Sequence, residues 1–184
     1  MKLLMDKILL IGGCGYIGSR LFQVLSDKHD VDSVDAEWYG NHINKLNVIK
    51  DFGTLTKDDL APYDVVILLA GHSSVKMCVD NAIPTLKNNV VNFVNLLEKL
   101  DKKQMFIYAS SSSVYGDTKE KMVTEEYNQF EPNNYYDLSK HEIDSYAKLS
   151  STKYFGLRFG TVCGASPNLR NDIMINAMTF NAIK

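Results

Sequence analysis

Tyr136 and Lys140 stand four residues apart in a stretch, Asn134 to Leu149, whose pattern predicts a helix. Residues i and i+4 share one helix face, about 6 Å apart along the axis. A phenol with a pKa near ~10 is a poor base at neutral pH, and a nearby ammonium favours the phenolate and lowers that value. The pair therefore has the makings of a general base for a substrate hydroxyl. Tyr135 is the competing phenol, but its i+5 spacing to Lys140 takes it off that face. A YxxxK pair also arises by chance, as a solvated surface pair. A second group of hydroxyls, Ser110 to Ser113, follows the apolar run Met105–Ala109. A hydroxyl at the end of a strand can hold a substrate oxygen beside the phenol; the alternative is a polar loop that only caps the strand.

Gly12, Gly15 and Gly18 make a GxxGxxG turn directly after the apolar run Ile8–Ile11, with Gly13 adding a further glycine. A turn without side chains lets a pyrophosphate approach, and a following helix offers free N–H groups and the positive end of its dipole. A glycine turn that merely packs a helix on a strand is the other reading. Asp35 ends the next strand pattern, 17 residues after Gly18. A carboxylate there can accept hydrogen bonds from both hydroxyls of an adenosine ribose and repels a 2′-phosphate, which favours NAD over NADP. A solvated loop aspartate is the alternative.

These groups need a scaffold that brings strand ends together. Short apolar runs at Ile8–Ile11, Val31–Asp35, Leu46–Lys50, Asp64–Leu69, Met105–Ala109 and Tyr154–Phe159 alternate with helical patterns from Tyr16 to Lys28, Pro84 to Leu100 and Asn134 to Leu149. Strands joined by helices imply parallel pairing and right-handed crossovers. The expected architecture is a doubly wound parallel α/β sheet, which binds ligands at the carboxyl ends of its strands. The polar loop from Gly116 to Asn133 is long enough to face a substrate.

Composition supports a globular chain of one domain, or of one domain plus a fragment of a second, with 184 residues, 45% hydrophobic and 23% charged. Twenty basic residues against 22 acidic ones leave a net charge of −2, which gives no argument for nucleic acid or an anionic membrane. Three cysteines with no CxxC pair suggest neither a disulfide framework nor a zinc site, and no metal is expected. No apolar run reaches the ~18 residues of a spanning helix, and a cytoplasmic location is expected.

Taken in order, the motifs resemble those of the extended short-chain dehydrogenase/reductases, in the NAD-dependent sugar-nucleotide epimerase/dehydratase group. They are GGCGYIGS from Gly12, VDSVD ending at Asp35, Asp51-Phe52, LLAG at Leu68–Gly71, NNV at Asn88–Val90, SSSSVYG at Ser110–Gly116, YDLSK at Tyr136–Lys140 and LRFGTVCG at Leu157–Gly164. The resemblance implies a Rossmann-type domain over residues 1–164 that binds NAD, and a Ser-Tyr-Lys catalytic set at Ser111, Tyr136 and Lys140. It implies cofactor contacts at Gly12, Gly15, Tyr16, Ile17, Gly18, Asp35, Asp51, Phe52, Leu69, Ala70, Gly71 and Asn89, with Tyr136 and Lys140 also at the nicotinamide side. Its implied substrate is a UDP- or dTDP-linked sugar. Its implied partner is a second copy, paired through helices 84–100 and 134–149.

The sequence departs from the family pattern at two places. Ser73 stands where galactose-type 4-epimerases carry a lysine, and Ser112-Ser113 stand where 4,6-dehydratases carry an acidic pair. The second departure puts the dehydratase behind the epimerase or oxidoreductase. Members of the family run well beyond this length, and residues 165–184 are expected to begin a truncated substrate-binding region. Two function classes follow: an NAD-dependent sugar-nucleotide epimerase or oxidoreductase, and an NAD-binding module without turnover of its own.

Overall fold

A computed structural model of the chain describes residues 6–183 except Asn44, Leu46, Glu120, Lys121 and Asn128. Its strands and helices run β1 (Lys7–Ile11), α1 (Tyr16–Ser26), β2 (Asp30–Asp35), β3 (Asn47–Ile49), α2 (Lys57–Leu60), β4 (Val65–Leu68), α3 (Val75–Asp80), α4 (Ala82–Leu86), α5 (Asn92–Leu97), β5 (Met105–Ser111), α6 (Tyr135–Ala147), β6 (Lys153–Phe159) and α7 (Met174–Ile183). The chain divides into two compact units, residues 1–70 with 161–184, and residues 71–160.

In the first unit β1 lies between β2 and β4 and is parallel to both, and β3 pairs in parallel with the far side of β2. The chain thus steps outward from β1 to β2 and β3, then returns to β4 on the other side of β1. That reversal is the switch point of a doubly wound sheet, and the crevice it opens lies beyond the carboxyl ends of β1 and β4. β1 reads as a continuous apolar run because it is covered on both faces, and Ile8 to Ile11 are all buried. Leu46, expected to begin the third strand, lies outside the described residues.

In the second unit β5 and β6 pair in parallel, from Met105 opposite Lys153 to Ser111 opposite Phe159. β5 is two residues longer than its apolar run, so Ser110 and Ser111 are its last residues rather than the loop after it. The core packs Phe93 against Phe106 and Tyr108, with ring centroids 5.6 and 4.9 Å apart. Gly156 of β6 gives Tyr108 its room, since a Cβ there would stand 2.5 Å from the phenol oxygen.

The single helix expected from Pro84 to Leu100 is α4 and α5 joined by a π-helical turn at Lys87–Val91, with Pro84 in the first turn of α4. The wider turn shifts the helical phase. Thr85, Asn89, Phe93, Leu96 and Leu97 are buried, while Val90 and Val94 are only half-buried. Such turns concentrate at functional sites. Among the described residues no helix is long and apolar enough to cross a membrane, and no cluster of three or more metal-ligating side chains occurs.

Candidate functional site

The glycine turn sits at the carboxyl end of β1. Gly12 has φ +90, and a Cβ there would stand 2.5 Å from the Ala70 nitrogen. Its own N–H donates to the Val34 carbonyl at 2.8 Å, and Leu69 and Ala70 both donate to the Ile11 carbonyl, at 2.8 and 3.1 Å. Gly12, Leu69 and Ala70 are therefore brought together beside the switch point. A Cβ on Gly18 would overlap the Gly12 carbonyl and stand 2.8 Å from Gly13 Cα, so Gly18 is where α1 crosses closest to the turn.

Gly15 is different. Its φ of −71 suits any residue, and a Cβ would meet only the Gly12 carbonyl, at 3.3 Å. Relieving that one contact takes a shift of a few tenths of an ångström, far less than Gly12 or Gly18 would need. Gly15 is the N-cap of α1 and supplies no side-chain cap, so the first turn, Tyr16-Ile17-Gly18, presents its backbone N–H groups uncapped by a side chain. An uncapped helix start behind a bare glycine fits a pyrophosphate.

Asp35 closes β2 with one carboxylate oxygen accepting from the Cys14 N–H at 3.0 Å and the other from the Glu37 N–H at 2.8 Å. An ionised carboxylate has about four acceptor sites, so two bonds leave room for two ribose hydroxyls. Glu37 has φ +55, and its carboxylate accepts from Asn47 and Asn41. Cys14 is buried in the turn; burial, with the charges of Asp35 and Glu37, pushes its thiol up to about 11 and leaves it unreactive. Asp51 caps a 3-10 turn at Phe52–Thr54 through the Gly53 N–H at 2.8 Å, and the Phe52 ring is buried in the core of the unit.

The other candidates belong to the second unit. Asn134 caps α6 by accepting from the Asp137 N–H at 3.0 Å, which fixes the helix start at Tyr135. Tyr136 is half-buried and Tyr135 exposed. Lys140 lies one turn on, 9% exposed, with Nζ donating to the Ala109 carbonyl at 2.7 Å and standing 5.8 Å from the centre of the Tyr136 ring. Burial brings its pKa down to about 8, against the opposing charge of Asp144. Ala109 is two residues before Ser111 on β5, so the lysine is pinned to the strand that carries the serines.

Ser111 Oγ caps the 3-10 turn Ser112–Tyr115 and accepts from Ser113 twice, from its N–H at 3.2 Å and its hydroxyl at 2.9 Å. With its acceptor sites engaged, Ser111 keeps its own proton to donate. Asn89, on the π-helical turn, holds the backbone of His72 from both sides: Oδ1 accepts from the N–H at 2.8 Å and Nδ2 donates to the carbonyl at 3.0 Å. Nδ2 also reaches Ser139 at 3.2 Å, and a Cβ on Gly71 would stand 3.0 Å from Oδ1. Asn89 thus supports the Gly71–His72 backbone and links it to α6.

Some residues were given no individual role by the sequence. Ser113 serves Ser111. Asp144 accepts from Tyr108 at 2.9 Å and from Arg158 Nε at 2.8 Å, one turn beyond Lys140. Arg158 also donates to the Glu125 carbonyl at 3.1 Å and lies 4.9 Å from the Tyr115 ring centre, tying α6, the 3-10 turn and the long loop together. Phe130 of that loop stacks on His141 at 4.2 Å. The spacing Tyr136, Lys140, Asp144 along one buried face was the signal available in the sequence. Arg170 is paired with Asp172.

Residues 8–183 match the sequence model of the NAD-dependent epimerase/dehydratase family. Protein CapI of Staphylococcus aureus is 32% identical, over 86% of this chain and 54% of its own length. UDP-glucose 4-epimerase of Mycoplasma genitalium is 30% identical, over 86% of this chain and 53% of its own. The Thermus thermophilus UDP-glucose 4-epimerase, solved as a complex with NAD, superposes with a TM-score of 0.79 at 23% identity, over 96% of this chain and 61% of its own, and shares the Rossmann-type fold. The chain spans about half the length of the curated relatives it matches. NAD is the cofactor of this family, and the uncapped α1 start, the bare Gly15 and the open acceptor sites of Asp35 suit it; by its sequence match the chain belongs to the NAD-dependent epimerase/dehydratase family.

Proposed function

We propose that the chain is the cofactor-binding and catalytic part of an NAD-dependent sugar-nucleotide epimerase or oxidoreductase. The observation that carries the reading is Lys140, a buried ammonium fixed on the Ala109 carbonyl beside the Tyr136 ring. A charged group is kept in such a place for a reason other than stability, since burying it is costly. Its charge favours the phenolate of Tyr136, which takes the proton of a substrate hydroxyl. Ser111 donates its hydrogen to the same substrate oxygen, held in position by Ser113.

Gly12, Gly15, Tyr16, Ile17 and Gly18 would hold the pyrophosphate, and Asp35 the adenosine ribose. Asp51 and Phe52 would flank the adenine, with Leu69, Ala70, Gly71 and Asn89 toward the nicotinamide. Bound NAD supplies the hydride acceptor and donor. The substrate class is a UDP- or dTDP-linked sugar, supported by relatives named as UDP-glucose 4-epimerases. Residues 165–184 would begin the region that recognises it, and a cytoplasmic location goes with free thiols and NAD.

Stopped-flow absorbance with a panel of UDP- and dTDP-sugars tests the reading. Tyr136→Phe should lower the reduction of NAD by about 10² to 10⁴-fold, with NAD affinity nearly unchanged. An active protein indifferent to that substitution would remove Tyr136 from the mechanism. The second reading is a module that binds NAD without turnover of its own. Binding of NAD with no reduction by any sugar nucleotide would select it.

A further inference from the structure

Residues 164–176 lie across the phosphate-binding turn. Both segments belong to the first unit, although about 150 residues of sequence separate them. Asn168 Nδ2 donates to the Cys14 carbonyl at 2.9 Å, and Ser166 Oγ donates to the Tyr16 carbonyl at 2.6 Å. Ser19 Oγ, fully buried on α1, accepts from the Asn168 N–H at 3.3 Å and lies 2.9 Å from Ser166 Oγ. Tyr16 OH donates to the Gly164 carbonyl at 2.8 Å and accepts from Asn176 Nδ2 at 3.0 Å. Asn176, the buried residue of α7, closes the ring by accepting from the Gly164 N–H at 3.0 Å.

The bonds to the turn's backbone share one chemical feature: they take carbonyl oxygens. An anion needs the N–H groups of the same backbone. The segment and a phosphate therefore do not compete for the turn. A hydrogen bond to a peptide carbonyl polarises that peptide and makes its N–H a stronger donor. The Tyr16 carbonyl shares its peptide with the Ile17 N–H, in the first turn of α1.

We propose that residues 164–176 form a strap that orients the phosphate-binding turn, with Ser166 and Asn168 as positioning residues for dinucleotide binding. The inference rests on the reading of that turn as the NAD site. Because the strap holds the turn in its binding shape, bound NAD must in return hold the strap, by the reciprocity of linked equilibria. The strap lies within the stretch proposed to begin the sugar-nucleotide region, so the same contacts couple the order of that stretch to the presence of cofactor.

Calorimetric titration with NAD and thiol labelling test this on the 184-residue chain. Ser166→Ala and Asn168→Ala should each weaken NAD binding about threefold to tenfold, the scale of one hydrogen bond, and Ser166→Thr should restore wild-type affinity. Cys163 is exposed at the foot of the strap, while Cys14 and Cys78 are buried, so a thiol reagent reads Cys163 first. Saturating NAD should slow its labelling severalfold in the unaltered chain, a measurement that needs no variant to fold. Folded variants that bind NAD as tightly as wild type, or a Cys163 rate indifferent to NAD, would overturn the strap while leaving the NAD site standing. An unaltered chain that binds no NAD would overturn both.

Discussion

Lys140 is a charged side chain held almost wholly out of water. The Ala109 carbonyl and the charge of Asp144 only partly replace its lost hydration. The folded chain holds this proton with a pKa of about 8, against the ordinary 10.5. Between those values the unfolded chain binds more protons, so stability rises with pH across the window. Below about 8 the cost of the buried charge is present in full. Lys140→Met removes the titration, so the rise of melting temperature between pH 8 and 10.5 should be flatter in the variant than in the parent chain. Parallel profiles would show that Lys140 titrates normally and that its ammonium is not buried in solution. The same residue explains why the pair was legible: i, i+4 spacing put a phenol and an ammonium on one face. The carbonyl that anchors the ammonium is 31 residues away and left no local trace.

At the scale of elements, β1, the glycine turn and α1 were readable together, because a buried strand, a bare turn and an amphipathic helix each have a period or a composition. The glycines of that turn serve separable ends. Gly18→Ala drives a Cβ into the Gly12 backbone and should destabilise the chain by about 1–3 kcal/mol, the scale of overpacking. Gly15→Ala finds an ordinary φ and meets only the Gly12 carbonyl at 3.3 Å, which a shift of a few tenths of an ångström relieves, so stability should change by less than about 1 kcal/mol, while NAD binding weakens. Calorimetric melting and NAD titration on the two variants check the contrast, and an unstable Gly15→Ala would deny that this glycine is reserved for a ligand. What sequence could not supply was phase and partnership. The π-helical turn at Lys87–Val91 buries Thr85 and Asn89 where a regular helix would favour Leu86 and Val90. β5 runs on through Ser110 and Ser111 because β6 offers residues Arg158 and Phe159 to pair with. The contacts of Ser166 and Asn168 depend on a turn far away in sequence, and a run of serine, proline and asparagine announces only a loop.

For the molecule as a whole the open question of partnership concerns the two helical stretches 84–100 and 134–149. Their inner faces are spent on the second unit's own core: Phe93, Leu96 and Leu97 on one, Ile143 and Ala147 on the other. A hydrogen bond from Tyr146 to Glu98 at 2.9 Å ties the two stretches to each other. What remains outward is apolar in places, with Ile83 81% exposed, Val91 half-exposed, and Tyr135 and Leu149 exposed at either end of α6. Scattered single apolar side chains need no explanation, whereas a stable homodimer needs about 1,200–2,000 Å² of contact with anchors that fill it. Ile83 and Val91 are two turns apart on the same stretch, and a two-fold axis would set each beside its own copy or its counterpart. The expected result is a dimer by sedimentation at micromolar concentration, dissociated by Ile83→Asp with Val91→Asp and unaffected by Met178→Asp on the exposed side of α7. A single 20.7 kDa species in the unaltered chain would reject the pairing and leave the two helices as cover for the sheet alone.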